Sequence, residues 1–405
     1  MSLDIAMIFE LGPHDDGSIG GGVELHALNL SKALVKRGHK VTYITGAIPN
    51  NKERTHIDGV EIERIDFLST MKRSYDAQQL RFSRQFFFLI KNTLPILKKN
   101  YDASNFDIFH GHIYSSGLVA ASLGKRYNGK IINTIHGSYY NYWNQLIKNR
   151  LKVSFYKQME RKIAPYLARK SHCQIHTDYD FAQIVKSLCK EKTQTKIHSV
   201  LNGVDLERFK PDVIPETSII EKEGPIIMTT RRLVVKNGVI YLVRGFGEIL
   251  KKHKNAQLYI VGDGPERSHI EKEIKQRKLT NNIKLIGMVS NNKIPSFLSA
   301  ADIVVVPSIV EASSISVLEA MAMRKPIVAS DIPGIREITE NGKTCKLIPP
   351  MDSKTLADAI IKLIDEPDKA NEFSKSGYTK AIKEFSWDSK ARETEALYNK
   401  VFEES

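Results

Sequence analysis

Cysteine is scarce in this chain: 405 residues hold three, Cys173, Cys189 and Cys345, scattered and odd in number. That excludes a disulfide framework and a cysteine-built zinc site, and it points to a reducing compartment, the cytoplasm. Long apolar runs are missing as well. Stretches such as Phe86–Ile90 fall far short of the roughly 20 apolar residues that a membrane helix needs. The opening segment Leu3–Leu11 contains Asp4 and Glu10 and has no basic stretch before it, so it reads as a first strand and not a signal peptide. There is no dinucleotide fingerprint. Gly20-x-Gly22 is followed three residues later by Leu25, where the third glycine should stand, which disfavours a nicotinamide dehydrogenase. Short-period repeats and low-complexity tracts are absent, and no nucleic-acid recognition motif accompanies the basic charge, so nucleic acid is not expected as a partner. Acidic residues are under-supplied in one half only. Residues 1–200 hold 29 Lys and Arg against 17 Asp and Glu, whereas residues 201–405 hold 31 against 29. A basic half suits an anionic partner such as a phosphorylated substrate or an acidic membrane surface.

What is present is an alternation of short apolar runs with amphipathic helical stretches. Ile5–Phe9 leads through a glycine-rich loop to a helix over about Glu24–Arg37, with Gly38 as its stop, and then to a strand at Lys40–Thr45. Further strands are expected at Ile108–His110, Ile131–Ile135, Gln174–His176 and Ile197–Val200. A second series runs Ile226–Thr229, Gln257–Val261, Ile283–Ile286, Ile303–Val306, Pro326–Ala329 and Lys346–Ile348, each separated by helical sequence. Strands alternating with helices imply an α/β fold with parallel sheets covered on both faces. Two such series predict two Rossmann-like domains, 1–205 and 206–386, joined by a polar linker near 205–224. The last helix, within 387–405, is expected to pack back near the first domain.

Chemistry concentrates after Ile303–Val306. Glu311 falls in the loop at that strand's C-terminal end and Glu319 inside the following helix. In an open α/β sheet this edge binds ligands, and a carboxylate can accept two hydrogen bonds from a vicinal diol. Ser316-Val317-Leu318-Glu319 also fits a capping box, which would give Glu319 a purely structural task. Arg231-Arg232-Leu233-Val234-Val235-Lys236-Asn237-Gly238 follows the strand Ile226–Thr229 and puts fixed positive charge on the same edge. Arg232 can fork two N–H bonds onto a phosphate and Lys236 adds a point charge. The loop Gly17–Gly22 could bring backbone N–H groups to an anion at a helix N-terminus; a plain turn explains it equally.

These residues resemble the signature of retaining glycosyltransferase family 4. The resemblance rests on Glu311-x7-Glu319-Ala320-Met321-Ala322 and continues through Ile260–Pro265, Ile332–Glu337, Gly21–Glu24, Arg37–Val41, Phe109–His112, Thr134–Gly137 and Leu201–Asp205. It covers nearly the whole chain, with the motifs in the family's order. It implies two Rossmann-like domains facing each other across a deep cleft (GT-B type) and a nucleotide diphosphate sugar as co-substrate, with no cofactor. It further implies that Glu311 binds donor-sugar hydroxyls, Glu319 the ribose, and Arg232 with Lys236 the diphosphate. The backbone of Ala312, Ser313, Ser314 and Ile315 would face the donor, Gly21 and Gly22 would close over the phosphates, and His136 would contact the sugar near the reacting carbon. His110 and His112 read as packing or loop residues. The chain departs from the family pattern at Arg324 and Cys345, where glycines are usual, at Ala312–Ser314, and at Lys236-Asn237, which leaves open which of the two reaches phosphate.

The expected reaction moves a hexose or N-acetylhexosamine, from UDP by preference and GDP otherwise, to a hydroxyl of a glycan or lipid-linked acceptor. Retention by same-face attack fits best, because Glu311 is expected to bind the sugar and not to attack it. A nucleotide-sugar epimerase of the same architecture and a catalytically silent nucleotide-sugar-binding protein are the alternatives. No metal is expected. The one Asp-x-Asp, Asp178-Tyr179-Asp180, follows Thr177 as an expected N-cap, which assigns both acids to a helix's first turn. Lys72–Asn100 and Tyr139–Lys170 mix basic with aromatic and apolar residues. They suit an anionic bilayer and equally suit first-domain helices whose apolar faces are core; on the first reading, peripheral attachment to the inner face of the membrane is expected.

Overall fold

The first apolar run is buried on both faces: Ile5, Ala6, Met7 and Ile8 are all but inaccessible. A strand covered on both sides belongs in the middle of a parallel sheet, and that is its place in the computed structural model. The structure describes residues 2–17, 19, 21–48, 50–65, 102–137, 140, 143–146, 149–218, 220 and 223–404. The segment Lys72–Asn100, expected to meet a bilayer, lies outside the described residues, as do Ser18 and Gly20 of the glycine loop. The chain divides into two compact units, Met1–Leu201 with Trp387–Ser405, and Asn202–Ser386.

The first unit holds strands β1 (Asp4–Ile8), β2 (Lys40–Gly46), β3 (Arg54–Ile57), β4 (Val60–Ile65), β5 (Ile108–His112), β6 (Lys130–Ile135), β7 (Cys173–His176) and β8 (Ile197–Ser199), in the sheet order β3-β4-β2-β1-β5-β6-β7-β8. All neighbours are parallel except the β3–β4 hairpin. That hairpin was not expected from the sequence, although its signal is present. Asp58 and Gly59 have φ of 50° and 82°, the paired positive values that a two-residue type I′ turn requires and that Asp-Gly favours. The helix Gly22–Lys36 buries Ala27, Leu28, Leu30 and Leu34 against β1 and β2, and the helix Trp387–Glu403 adds Ala391, Tyr398 and Val401 to the same core.

The second unit holds β9 (Ile226–Thr230), β10 (Gln257–Val261), β11 (Ile283–Gly287), β12 (Ile303–Val306), β13 (Ile327–Ser330) and β14 (Lys346–Ile348), all parallel, in the order β11-β10-β9-β12-β13-β14. This is the doubly wound arrangement: the chain runs outward from β9 one way, then returns to β12 and runs the other way. Between β9 and β12 lies the switch point. The helix Val239–Lys252 covers one face through Leu242, Val243, Phe246 and Ile249, which pack with Ile227, Leu258 and Val305. Arg324 ends the helix Ile315–Ala322 with φ of +52°, a left-handed conformation that costs a side-chain-bearing residue roughly 1 kcal/mol. All three cysteines are free, and burial pushes the thiols of Cys173 and Cys345 up to about 12, which makes them inert.

Candidate active site

Strands β9 and β12 are neighbours in register, so the segments leaving their C-terminal ends emerge side by side. From β9 come Arg231, Arg232 and the short 3-10 turn Val235–Asn237; from β12 comes the loop Pro307–Ser314. The two are stitched together through backbone, Ile309 N–H and Val310 N–H donating to the Lys236 carbonyl at 2.8 and 3.3 Å. Gly238 makes that approach feasible. Its φ is +65°, and a Cβ there would stand 2.0 Å from the Pro307 carbonyl oxygen.

Glu311 sits in this loop, half-buried, and its partner is Arg231, whose Nη2 donates to Oε2. The same guanidinium donates to Asn237 Oδ1 at 2.8 Å and to Ser314 Oγ at 3.2 Å. Ser308 Oγ donates to Glu311 Oε2 at 3.3 Å. Burial by itself would push the Glu311 carboxyl up, but the charges of Arg231 and Lys236 and the hydrogen bonds of Arg231 and Ser308 hold it below the usual carboxylate range. Glu311 is therefore an ionised acceptor with one oxygen committed inside the protein. Arg231 is the residue the sequence did not single out. The adjacent pair Arg231-Arg232 offers two equivalent guanidinium groups to any local pattern, and only the contacts across the sheet edge separate them: Arg231 is turned inward and buried, whereas Arg232 is half-buried. Asn237 is also an internal group, since its Nδ2 donates to the Arg232 carbonyl at 2.7 Å while its Oδ1 receives Arg231. Lys236 is half-buried, and its charge reaches Glu311.

The helix Ile315–Ala322 begins at Ser314 with no side-chain cap. The Ser314 hydroxyl oxygen accepts from Arg231 instead, so the first-turn amides are offered to solvent or to a ligand at the positive end of the helix dipole. No capping box forms. Ser316 donates to the Thr230 carbonyl at 3.3 Å, tying the helix start to β9, and Glu319 lies a full turn inside. Burial raises the Glu319 carboxyl to about 7, against the opposing pull of Arg208 and Arg231. Ser313 is clamped from a third direction, its Oγ accepting from Asn202 N–H at 3.1 Å and its carbonyl from Asn202 Nδ2 at 2.5 Å.

The first unit carries the remaining expected positions. Gly21 caps the helix Gly22–Lys36 in an extended conformation, and a Cβ there would meet nothing closer than Glu24 Oε2 at 3.9 Å. Packing within the described chain therefore does not demand glycine at this point. His136 follows β6, with Nε2 2.8 Å from His112 Nδ1. His112 is buried at the end of β5, a packing position as expected, and is also the hydrogen-bonded neighbour of His136. Burial, reinforced by the surrounding histidines, depresses both imidazoles well below their ordinary value and keeps them neutral. At Asp178-Tyr179-Asp180 the cap is Asp178 itself and not Thr177, its carboxylate accepting from Phe181 N–H at 3.1 Å. The correction follows from hydrogen-bond reach, because the helix begins one residue later than expected.

Acids and cations at the switch point of a doubly wound sheet suit a nucleotide-sugar-dependent glycosyltransferase of the GT-B type. Comparison with known proteins agrees. The family model described as Glycosyltransferase Family 4 matches residues 20–208 and that described as Glycosyl transferases group 1 matches residues 212–380. The chain belongs to glycosyltransferase family 4. It is 25% identical over 398 residues to an uncharacterized glycosyltransferase of Methanocaldococcus jannaschii, covering 95% of this chain and 96% of that one. It is also 25% identical over 385 residues to one component of the phosphatidylinositol N-acetylglucosaminyltransferase of Arabidopsis thaliana, covering 94% and 79%. Among solved structures, sucrose-phosphate synthase from Thermosynechococcus elongatus superposes with a TM-score of 0.80 at 21% identity over the full length of both chains. Anabaena HepE in complex with UDP and glucose does so with 0.72 at 16% identity, covering 98% and 99%.

Proposed function

We propose that the enzyme transfers a hexose or N-acetylhexosamine from a UDP-linked donor to a hydroxyl of a glycan or lipid-linked acceptor, with retention of anomeric configuration and without a metal ion. The observation that carries this reading is the Arg231–Glu311 pair set beside Lys236 and an uncapped helix start. A carboxylate drawn down by two cations and bonded through one oxygen is a weak nucleophile and a strong acceptor of hydroxyl hydrogen bonds, so Glu311 is assigned to the donor sugar. With no nucleophile in that role, the acceptor attacks from the face the diphosphate leaves. The departing diphosphate takes the acceptor's proton, while Arg232, Lys236 and the amides of Ala312–Ile315 stabilise the charge that develops on it. Glu319 is assigned to the ribose. His136 with Gly21 and Gly22 are assigned to the donor on the family resemblance. UDP as the donor nucleotide is supported by the UDP-bound Anabaena relative in fold, and a lipid-linked acceptor by the phosphatidylinositol enzyme.

Product analysis tests the mechanism: NMR is expected to show the donor's anomeric configuration in the product and no loss of turnover in EDTA. An inverted product, or conversion of donor without acceptor, overturns it, the latter in favour of an epimerase. A silent binding protein would show donor binding and no turnover.

Glu319 adds a pH dependence. A ribose diol needs the ionised acid as acceptor, so donor affinity is expected to rise as pH rises through about 7, and Glu319→Gln to weaken it roughly tenfold or more. Stability moves the opposite way. The folded carboxyl is raised from 4.5 to about 7, so its favourable contribution is complete below the lower value and lost as pH rises through the upper one. Glu319→Gln is therefore expected to melt higher than the parent at pH 8 while binding donor less well. A pH-independent donor affinity in the parent removes Glu319 from the site.

The helix Arg150–Lys170 exposes Leu151 at 83% and Phe155 at 50% among basic residues, and among the described residues no helix is long and apolar enough to cross a membrane. We assign this face to an anionic bilayer; flotation with acidic but not neutral liposomes is the expected result, and no flotation at low salt ends the assignment.

A further inference from the structure

We propose that His26, His112 and His136 form a binding site for one borderline or soft divalent transition-metal ion, zinc above all, and that an ion held there withdraws His136 from the donor sugar. The second half rests on the reading of His136 given above; the first half does not. Three imidazoles arrive from separate elements: His26 from the helix Gly22–Lys36, His112 from the end of β5, and His136 from just beyond β6. One ring nitrogen of each lies within 4.8 Å of the other two, and this is the one such cluster among the described residues.

The geometry suits tetrahedral ligation. Zinc–nitrogen bonds of about 2.0–2.1 Å set ligand nitrogens about 3.3–3.4 Å apart. His112 Nδ1 and His136 Nε2, now 2.8 Å apart, would open by about half an ångström around an ion, and the His26 nitrogen, within 4.8 Å of both, would close on them by up to about 1.4 Å. His26 stands edge-on to both, with interplanar angles of 62° to His112 and 77° to His136. The neighbouring side chains hold these rings in place. His112 Nε2 lies 2.8 Å from Met7 Sδ, which leaves Nδ1 as the lone pair facing the cluster. His110 stacks on His112 at 4.6 Å and has both nitrogens engaged, with Tyr398 Oη and Thr134 Oγ1 each at 2.6 Å; it buttresses the site and does not ligate. Trp387 packs edge-on against His26 at 5.1 Å. His26 and His112 are buried, whereas His136 is partly accessible and leaves a side through which a fourth ligand, water, can enter. Neutral nitrogen donors in an apolar shell select zinc, cobalt, nickel or copper and reject magnesium and calcium, which require oxygen.

Equilibrium dialysis against ZnCl₂ with metal analysis, and Co²⁺ titration followed by visible absorption, test the site on the full chain. Expected are one ion per chain, a tetrahedral Co²⁺ spectrum, and affinity falling at least about tenfold in His26→Ala and in His112→Gln, each checked for folding by its thermal melt. Zn²⁺ is expected to inhibit competitively with donor, each variant being scored against its own metal-free rate, and Mg²⁺ to have no such effect. Absent binding, or binding that both variants retain, overturns the site. Binding that both variants lose, with turnover indifferent to Zn²⁺, upholds the site and overturns the place of His136 beside the donor.

Discussion

Arg231→Met is expected to lower turnover about 10²–10³-fold and to destabilise the second unit by about 3 kcal/mol. Both effects have one cause. The guanidinium is 6% exposed and the Glu311 carboxylate 16%, so removing the cation leaves an acid in a poorly hydrated loop with Ser308 and the charge of Lys236 to stabilise it. Its pKa then climbs, because burial already pushes it upward and the strongest opposing charge, that of Arg231, has gone. Arg231 also ties Ser314 to Asn237, so the start of the helix Ile315–Ala322 loses its anchor to the β9 turn. The double variant Arg231→Met/Glu311→Gln separates the two consequences. It is expected to recover much of the stability, since no buried charge remains, and none of the activity. Urea denaturation and initial rates measure both. A single variant that keeps full stability, or a double variant no more stable than the single, contradicts the pairing.

Gly334→Ala is expected to cost about 10²-fold or more in turnover although residue 334 carries no chemistry. Gly334 is the second residue of the short helix Pro333–Ile338, and a Cβ there would fall 1.3 Å from the Ala312 carbonyl oxygen and 2.6 Å from that of Glu311. An ordinary carbon–oxygen contact is roughly 3.3 Å or longer, so either the Glu311 loop or the helix start must shift by more than an ångström. The loop is pinned on its other side by Lys236 and Asn202, which leaves little room to absorb the shift. Turnover within threefold of the parent would show that the helix gives way and the loop does not. Rescue is not expected from higher donor concentration, because the misplaced group acts on the bound sugar.

Much of the architecture was legible in the order of residues. Alternating apolar runs and helical stretches located β1, β10, β12 and β14 to within a residue; β1, β10 and β12 are buried along nearly their whole length and read as near-continuous apolar sequence. The edge bearing Glu311 and the basic cluster followed from the same pattern. Local signals failed where two solutions were chemically equal or where the cue was a turn. The β3–β4 hairpin announced itself only through Asp58-Gly59, without a long apolar run beside it. The cap at Asp178 in place of Thr177 turned on which of two adjacent acceptors reaches Phe181 N–H.

The sequence by itself determined the fold class, the family, and the presence of two acids and two cations at one sheet edge, since each of these depends on residue type and short spacing. Tertiary structure alone decided which arginine faces Glu311 across 80 positions of chain, that burial lifts Glu319 to about 7, and that Gly334 must be bare beside the Glu311 loop. It also gathered His26, His112 and His136 from three elements into one cluster. These outcomes depend on desolvation and on contacts between distant segments, and neither quantity exists until the sheets have closed.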